Sequence, residues 1–364
     1  MPISTPAQIT VPFATSGLKN SIPSTSNNVT GNAGYDAGFP AINMTPIAAG
    51  GIPPFGQDFN GIFFELSAAV RYDQAGGLYP YSSPFSTAVG GYPKGALIAK
   101  ATLDGLWLNT TVDNTTNPDT GGAGWVNPLS GRLLRTSVYT FVGGVQMVSV
   151  DGGTFTATGA STFTSLALAV KVIAEGVGGG GGSGATTATG GSQFAVTGGA
   201  SGACYGLGVY PAPVSAIAVA VGLAGAAGAA PGGAGGNGGT TTLGALLSIG
   251  GGSGSAGSAA QTGNLVQGGA ATAKTVTGAN IYSANGGYGH YGISLTSFIG
   301  GVGGETVFGP GGSPGLANTA GTSSPGNPAT SPGAGGGGSA TAPSAAAQPG
   351  AKGADGILII REYA

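Results

Sequence analysis

The spacing of hydrophobic residues in the first part of the chain predicts one substantial helix, over residues 58–72. Apolar residues recur there at intervals of three and four, which is typical of one helix face. That stripe consists of Phe59, Ile62, Phe63, Leu66, Ala69 and Val70. Asp58 is placed to cap the start, and Gly76 and Gly77 lie just past the end. The pattern therefore predicts an amphipathic helix whose stripe packs on a partner.

Two short apolar runs follow and predict a β-hairpin. Residues 96–100 and 106–109 are separated by Asp104-Gly105, a dipeptide that favours a tight turn between antiparallel strands. A polar loop over residues 110–124 then ends at Trp125. The first part of the chain is therefore expected to be a small mixed α/β domain.

Beyond residue 130 the alternation of apolar with polar or small residues predicts strands. The strand signals cover residues 137–150, 154–158 and 166–174, and a compact apolar run follows at 356–363, near the C-terminus. A long glycine-rich stretch lies between the last two runs. These boundaries predict a first domain over residues 1–130, connecting strands over 131–175, and a glycine-rich domain over 176–364 that the strand 356–363 closes.

Composition sharpens this division of the chain. Of the 78 glycines, 20 lie in residues 1–150 and 58 lie beyond. Charged residues make up 6% of the chain and the formal net charge is −2, whereas soluble proteins average about 25% charged residues. The ten Lys and Arg residues are scattered, which argues against a nucleic-acid partner.

The sequence also argues against membrane insertion and against an intramolecular disulfide. No apolar run approaches the roughly 18 residues that a spanning helix needs, and the N-terminus has no pattern typical of a secretory signal. The single cysteine, Cys204, has no second cysteine to pair with and is expected to pack as a small apolar residue.

The glycine-rich stretch has two interpretations. One is a flexible linker. The other is a set of extended, left-handed segments with three residues per turn, which pack closely because they lack Cβ atoms and bond N–H to C=O between segments. Recurring apolar anchors, scarce charge and bracketing strands favour the second. A collagen helix is excluded, since no strict Gly-X-Y register persists. The predicted fold is mostly β, with a glycine-rich β-sandwich-like domain that carries polyglycine-II-type segments.

Little in the sequence indicates catalysis. The single histidine, His290, cannot form a His-rich metal site, and no nucleophile-elbow motif lies near it. The carboxylates of the glycine-rich half are few and mostly sit beside strand ends, which disfavours a paired-carboxylate glycosidase. Matches to G-x-G-x-x-G lie outside any βαβ unit. We therefore expect a protein that is not an enzyme and has no catalytic residue, metal or cofactor.

Recognition is the function that this sequence favours. Aromatic rings on glycine-rich loops offer a large contact area at low entropic cost. The cluster Tyr288, His290 and Tyr291 is the first candidate for receptor binding, because glycines flank it and no apolar run adjoins it. Tyr205, Tyr210 and Tyr282 are further candidates, with the alternative that they anchor the glycine segments internally.

The N-terminal third resembles the attachment region of phage and prophage tail fibres. The motifs that carry the resemblance, in order, are PFATSGLKNSIP at 12–23, GFPAINMTPIAAGGIPP at 38–54, QDFNG at 57–61, GGYPKGA at 90–96 and DNTTNP at 113–118, followed by Trp125. The resemblance implies a homotrimer that joins a fibre to baseplate proteins. Phe59, Phe63 and Leu66 are then the candidate trimer or attachment residues.

Residues 92–125 are also similar to a small carbohydrate-binding module. The similarity rests on Tyr92, Gly95, Trp107, a Pro-containing loop and Trp125. It implies that Trp107 and Trp125 could be platforms for a sugar ring, although a structural role for both tryptophans is the favoured alternative.

Residues 151–364 resemble the glycine-rich C-terminal domains of phage tail proteins. Those domains open with a strand that runs into a glycine tract, as residues 170–182 do, and end in spaced glycines, an apolar run and Glu-Tyr, as residues 350–363 do. The resemblance implies a distal tip that binds a pilus, outer-membrane protein or polysaccharide on a bacterium. The expected location is the virion, after assembly in the host cytoplasm. The alternatives are a purely structural baseplate scaffold and a polysaccharide-degrading tailspike.

Overall fold

The structure is a computed structural model that describes residues 6–159, 161–271 and 275–364. The chain divides into two compact units, Met1–Pro128 and Leu129–Ala364. The first unit ends two residues before the boundary expected from the sequence. Residues 131–175 belong to the second unit. The described residues are mostly β, as predicted.

The first unit holds all of the α-helices that the described residues form. Its elements are α1 (Ala41–Met44), α2 (Gly56–Gln74), α3 (Ser83–Val89), β1 (Leu97–Ala99), β2 (Leu106–Asn109) and β3 (Trp125–Val126), with short 3-10 turns at Ile47–Ala49 and Pro118–Thr120. The predicted hairpin is confirmed, because β1 and β2 pair antiparallel with Ile98 opposite Trp107. The strand β3 extends this sheet beside β2.

The predicted helix is present as α2, but the predicted cap is wrong. The helix begins at Gly56, and Phe55 at the N-cap makes no side-chain capping bond. Asp58 lies inside the first turn and is buried. Its two carboxylate oxygens accept hydrogen bonds from the Asn20 side chain at 2.6 Å and from the Ala33 N–H at 2.8 Å. Asp58 therefore ties the preceding loops to the helix instead of capping it.

The second unit is built from antiparallel strands. In chain order they are β4 (Leu133–Val142), β5 (Val145–Val150), β6 (Thr156–Ala157), β7 (Ser161–Phe163), β8 (Lys171–Val177), β9 (Ala195–Val196), β10 (Tyr205–Pro211), β11 (Ile217–Ala220), β12 (Thr241–Leu243), β13 (Leu247–Ile249), β14 (Leu265–Gln267), β15 (Val276–Thr277), β16 (Tyr282–Ala284), β17 (Gly292–Ser294), β18 (Phe298–Ile299), β19 (Leu316–Ala317), β20 (Ser323–Ser324), β21 (Ala340–Thr341) and β22 (Ile357–Tyr363).

Two sheets share the main core of this unit. The larger has the order β16-β10-β8-β22-β4-β5-β6, and the smaller has the order β15-β13-β12-β11-β7. One face of β8 and β22 contributes Val172, Leu358 and Ile360 to the core, and the smaller sheet contributes Leu243 and Ile249. Successive side chains of a strand point to opposite faces of the sheet, so burial at alternate positions is expected. Two smaller sheets, β14-β17-β18-β19 and β20-β21-β9, lie among the glycine segments described below.

The predicted strand at 137–150 is instead a hairpin. Residues 133–142 and 145–150 form β4 and β5, which Gly143 and Gly144 join, both at positive φ. Such a two-residue turn needs positive φ at both positions, and glycine adopts that conformation at little cost. The predicted C-terminal strand is confirmed as β22, which pairs with both β8 and β4.

A buried ion pair fixes the C-terminal strand. Glu362 is fully buried and binds Arg135 of β4, and its second oxygen accepts a hydrogen bond from the Leu166 N–H at 2.7 Å. The partner charge and the N–H together satisfy the buried carboxylate, which would be costly to leave unpaired.

The glycine-rich stretches between these strands are held by hydrogen bonds that repeat every third residue. The donors of one row are Gly179, Gly182 and Ala185, and the acceptors are Gly239, Gly236 and Gly233, at 2.8 to 2.9 Å. A second row from the same segment, from Gly180, Ser183 and Thr186, reaches Ala354, Ala351 and Gln348. A repeat of three residues is that of the left-handed, extended helix of polyproline II type.

The segment 178–187 is central among these glycine segments. Its backbone bonds to six neighbouring segments of the described chain: 198–204, 222–228, 233–239, 250–258, 333–339 and 348–356. Cβ atoms added to Gly179, Gly180, Gly181, Gly182 or Gly184 would lie under 3.0 Å from backbone atoms of those neighbours, a separation that real Cβ atoms essentially never show. Bare backbones therefore permit this packing.

The number of glycines in each three-residue turn of a segment increases with the number of segments that surround it. Residues 178–182 are all glycine and are surrounded by six segments. Residues 300–305 read Gly-Gly-Val-Gly-Gly-Glu, and described segments cover them on four sides. Residues 222–228 have glycine only at every third position, and three described segments cover them. Side chains are therefore allowed in those directions where no neighbouring backbone lies.

The helices of the described residues are either short or too polar for the hydrophobic core of a bilayer. None of them meets the length and hydropathy that a membrane-spanning helix requires.

Candidate functional site

The cluster Tyr288, His290 and Tyr291 lies on a glycine segment at the surface. Gly286 and Gly289, three residues apart, are buried, and Cβ atoms on them would collide with the carbonyl oxygens of Gly202 and Gly199. With three residues per turn, Tyr288 and Tyr291 share a different face, separated along the axis by about 9 Å. Their side chains are 60% and 65% exposed. The glycine rows thus aim both rings at solvent.

The neighbouring segment at residues 300–305 carries a second row of side chains, spaced three residues apart like the two tyrosines. The N–H groups of Gly287 and His290 donate to the carbonyl oxygens of Glu305 and Val302 at 2.9 and 2.8 Å, so the two segments are locked in register. Val302 and Glu305 are again three residues apart. Sequence reasoning did not single them out, although the repeat Gly-Gly-Val-Gly-Gly-Glu was a usable signal.

The rows of side chains border a cleft of about 850 Å³. Its wall residues are Gly269, Ala270, Ala271, Gly287, Tyr288, Gly289, His290, Tyr291, Val302, Gly303, Glu305, Pro310 and Gly311. This volume lies within the range of roughly 300–1,000 Å³ that is usual for ligand sites. The floor is largely glycine backbone, so a ligand could approach main-chain groups closely.

The polar groups of the cleft are few and varied. Glu305 supplies a carboxylate, His290 an imidazole, and the two tyrosines supply phenolic hydroxyls. Within the described chain, the N–H groups of Tyr288 and Val302 make no hydrogen bond and are available as donors. Flat apolar rings beside spaced donors and acceptors suit a ligand that is partly apolar and rich in hydroxyl or amide groups.

Tyr205 and Tyr282 are placed beside one another, on the paired strands β10 and β16. Their ring centroids are 6.0 Å apart. Tyr282 is exposed, whereas the hydroxyl of Tyr205 donates to Glu175 at 2.9 Å, and Glu175 also binds Arg361 at 2.6 Å. Burial, reinforced by the hydrogen bond to Glu175, raises the pKa of Tyr205 to about 12. Tyr205 therefore anchors the sheet, and Tyr282 offers an exposed ring beside it.

The proposal that Tyr210 contacts a receptor needs correction. Its side chain is buried in the core between the two sheets, and its hydroxyl donates to the carbonyl oxygen of Gly278 at 3.0 Å. Burial raises its pKa to about 12. Its position on β10 alternates with Tyr205, so the strand period turns it inward. Tyr210 acts as an internal anchor.

The two tryptophans of the first unit have structural roles. Trp125 is buried against Tyr92, and its indole N–H donates to the carbonyl oxygen of Thr116 at 2.9 Å. Trp107 is partly exposed, but the Lys100 ammonium lies 5.1 Å from its ring centroid and its indole N–H donates to Asp119 at 2.9 Å. Trp125 cannot be a sugar platform in this conformation, and one face of Trp107 is occupied by Lys100.

The stripe of α2 is exposed in the single chain. Phe59, Phe63 and Leu66 are between 41% and 58% exposed. Phe13 meets Phe63 edge-on at 5.5 Å, and Phe39 packs on Phe59 at 4.6 Å. The stripe therefore leaves large apolar side chains in contact with solvent in the single chain.

No metal site is formed by the residues that the structure describes. Groups of three or more His, Cys, Asp or Glu side chains suited to a metal ion are absent from that part of the chain. Cys204 is buried in the core of the second unit, as expected for a small apolar side chain.

The second unit is thus an antiparallel β domain in which two sheets share the main core and glycine segments pack between the strands. Comparison with protein families agrees with this description. A family model described as a glycine-rich domain matches residues 153–363, and the chain belongs to that family. Strands β4 and β5 precede the matched region but pair into its larger sheet. A search of curated proteins finds no match.

Proposed function

We propose that this chain is a non-enzymatic tail-fibre protein that attaches a phage or prophage particle to a bacterial surface structure. The cleft beside Tyr288 and Tyr291 is the receptor-contacting site in this proposal. The observation that carries it is a pair of exposed tyrosines on a glycine segment that backbone hydrogen bonds join to neighbouring segments of the described chain.

The physical basis of the proposal is a rigid platform with exposed rings. A tyrosine loses little side-chain entropy on binding and offers both an apolar face and a hydroxyl. The glycine rows at Gly286 and Gly289 hold the segment against its neighbours, so the rings need no backbone ordering when a receptor arrives. Glu305, which lines the same cleft, would be an additional contact.

The first unit has the role of attachment in this proposal. The exposed stripe of α2, with Phe59, Phe63 and Leu66, would be covered by other copies in a homotrimer or by baseplate proteins. Covering such a stripe removes large apolar side chains from water, at roughly 25 cal/mol for each Å² buried. The protein would be located in the virion, after assembly in the host cytoplasm.

Adsorption to the bacterial host tests the proposed function. Purified full-length protein should bind host cells and reduce infection by the particle that carries it. The double change Tyr288→Ala and Tyr291→Ala should abolish binding while the unfolding midpoint stays unchanged, because both side chains are exposed.

A matched control is the double change Leu295→Ala and Val266→Ala, which removes two exposed side chains of the same unit that lie outside the cleft. Host binding should survive this change. If the unaltered protein neither binds cells nor blocks infection, the chain is a structural scaffold of the particle. If binding survives loss of both tyrosines, the receptor site lies elsewhere.

A further inference from the structure

The first unit contains a separate cavity that the proposed attachment role does not use. Its volume is about 580 Å³, and it lies between the end of α2, the connection to α3, and strand β1. Its walls include the four aromatic residues Tyr79, Tyr81, Phe85 and Tyr92, together with Leu97 and the carboxylate-bearing Asp73.

The arrangement of the rings follows from an extended connection. The N–H of Ala99 in β1 donates to the carbonyl oxygen of Tyr79 at 3.1 Å, and Pro80 bridges to Ala99 in parallel orientation. Side chains alternate along extended chain, which puts Tyr79 and Tyr81 on one side. Tyr92 is buried beneath, with its ring centroid 5.6 Å from that of Tyr81 and 5.8 Å from that of Phe85.

Two of the three tyrosine hydroxyls on this wall, those of Tyr81 and Tyr92, are engaged within the fold. The Tyr81 hydroxyl donates to the carbonyl oxygen of Thr115, and the Tyr92 hydroxyl accepts a hydrogen bond from the Ser82 N–H at 3.1 Å. The wall of the cavity therefore exposes aromatic ring surface more than hydroxyl groups. Aromatic faces carry a negative electrostatic potential and attract cations that approach within about 6 Å of the ring centroid.

Asp73 supplies a formal negative charge at the rim. It lies in the last turn of α2, where the helix dipole disfavours a negative charge. Within the described part of the chain, Asp73 forms neither an ion pair nor a side-chain hydrogen bond. Helix stability thus gives no reason for a carboxylate at this position, and its charge is left without a counter-ion.

We propose that this cavity binds the side chain of a lysine or arginine presented by a protein partner. The cationic head would lie among the aromatic rings with Asp73 as its counter-ion, and the apolar stem would contact Leu97. The rings of Tyr79 and Phe85 are more than half exposed at the rim. They would contact the peptide backbone on either side of the basic residue, which favours a side chain on a protein over a free small cation.

Calorimetric titration of the full chain at low ionic strength tests the proposal. The probes are the N-acetyl methylamides of lysine and arginine, the uncharged norleucine analogue, and the tetramethylammonium ion. At least one of the basic probes should bind about fivefold or more tightly than norleucine, which corresponds to the lower range of a cation–aromatic contact. Equal binding of the charged and uncharged probes would overturn the proposal.

Three variants locate the effect. Asp73→Asn should remove the preference for the basic probe over norleucine, whereas Asp104→Asn, an exposed carboxylate of the same unit outside the cavity, should leave it intact. Tyr79→Ala should weaken all amino-acid probes. A preference that persists in Asp73→Asn contradicts the proposal. Tetramethylammonium binding that is tighter than that of both basic amino-acid probes contradicts the assignment to a side chain.

Discussion

Gly180 lies so close to Ala334 that a Cβ atom on Gly180 would lie under 3.0 Å from the carbonyl group of Ala334. At the same position, the Gly180 N–H donates to the carbonyl oxygen of Ala354 at 2.8 Å. Two neighbouring segments therefore meet the central segment at one residue. Glycine is required here for close approach.

Replacement of Gly180 by alanine should destabilise the second unit. The methyl group would force neighbouring backbone apart, and overpacking of this kind costs about 1–3 kcal/mol. The measurement is the free energy of unfolding from denaturant titration. Gly268→Ala is the matched control, because a Cβ there meets nothing within 4 Å and its φ is not positive. The account is contradicted if both variants unfold at the same midpoint.

Ser183 tests the polar side of the same packing. It is fully buried, its hydroxyl donates to the carbonyl oxygen of Gly337 at 2.6 Å, and it accepts a hydrogen bond from the Ala351 N–H at 2.8 Å. Ser183→Ala should lower the free energy of unfolding by about 1–3 kcal/mol, because buried main-chain partners lose their bonds. The exposed Ser215→Ala should change it by less than about 0.5 kcal/mol. Equal effects would show that the hydroxyl is not needed.

Breaking the Arg135–Glu362 pair should be costly. Glu362→Ala leaves Arg135 without its partner at a largely buried position, and the expected loss in the free energy of unfolding is about 3 kcal/mol. Lys352→Ala breaks the more exposed pair with Asp355, at 3.6 Å, and should cost less than about 1 kcal/mol. A Glu362→Ala variant as stable as Lys352→Ala would contradict the role given to this pair.

Stability of the second unit should fall at alkaline pH. Burial raises the pKa of Tyr205 to about 12 in the folded protein, from the ordinary tyrosine value of 10.0. The folded state therefore holds its proton more tightly, and this contribution is complete below pH 10 and is lost as the pH rises towards 12. Unfolding midpoints between pH 8 and 12 should fall less in Tyr205→Phe than in the unaltered protein. Parallel curves for the two proteins would contradict this link.

The trimer proposal predicts a defined change in mass. Sedimentation of the full chain should give three times the mass of one chain, and Phe63→Asp should give single chains, because a charge would be placed on the shared apolar stripe. Val112→Asp alters an exposed residue outside that stripe and should leave the trimer intact. An unaltered protein that sediments as a single chain would contradict the trimer.

The sequence predicted those elements whose signal is local. The helix α2, the β1–β2 hairpin and the strand β22 each have their own period or turn residues. The β4–β5 hairpin was missed although Gly143-Gly144 marks its turn, since alternation on both sides hides the reversal. Which glycine segments neighbour one another could not be predicted, because their sequences are nearly interchangeable. How many neighbouring segments surround each glycine segment could have been predicted from the number of glycines in each of its three-residue turns.

The candidate site was predictable only in part. The exposed tyrosines at 288 and 291 stand out because they interrupt glycines. Val302 and Glu305 are brought beside them by hydrogen bonds between two separate glycine segments, a pairing that no local pattern indicates. For Tyr210 the sequence left receptor binding and internal anchoring open, and the strand period places its side chain in the core. The cavity near Tyr79 forms because the connection between α2 and α3 runs beside β1, and no local sequence pattern indicates that placement.

Hydrogen exchange of the backbone amides in residues 178–187 tests the central claim most directly. The N–H groups of residues 179–187 donate hydrogen bonds to four surrounding segments, and residues 178–186 are buried, so these amides should exchange as slowly as those of β8 and β22. The exposed residues Val112 and Asp113, whose N–H groups make no hydrogen bond within the described chain, give the fast reference in the same experiment. Exchange in residues 178–187 at the rate of a free peptide would contradict the account, because the platform beneath Tyr288 and Tyr291 would then not be ordered.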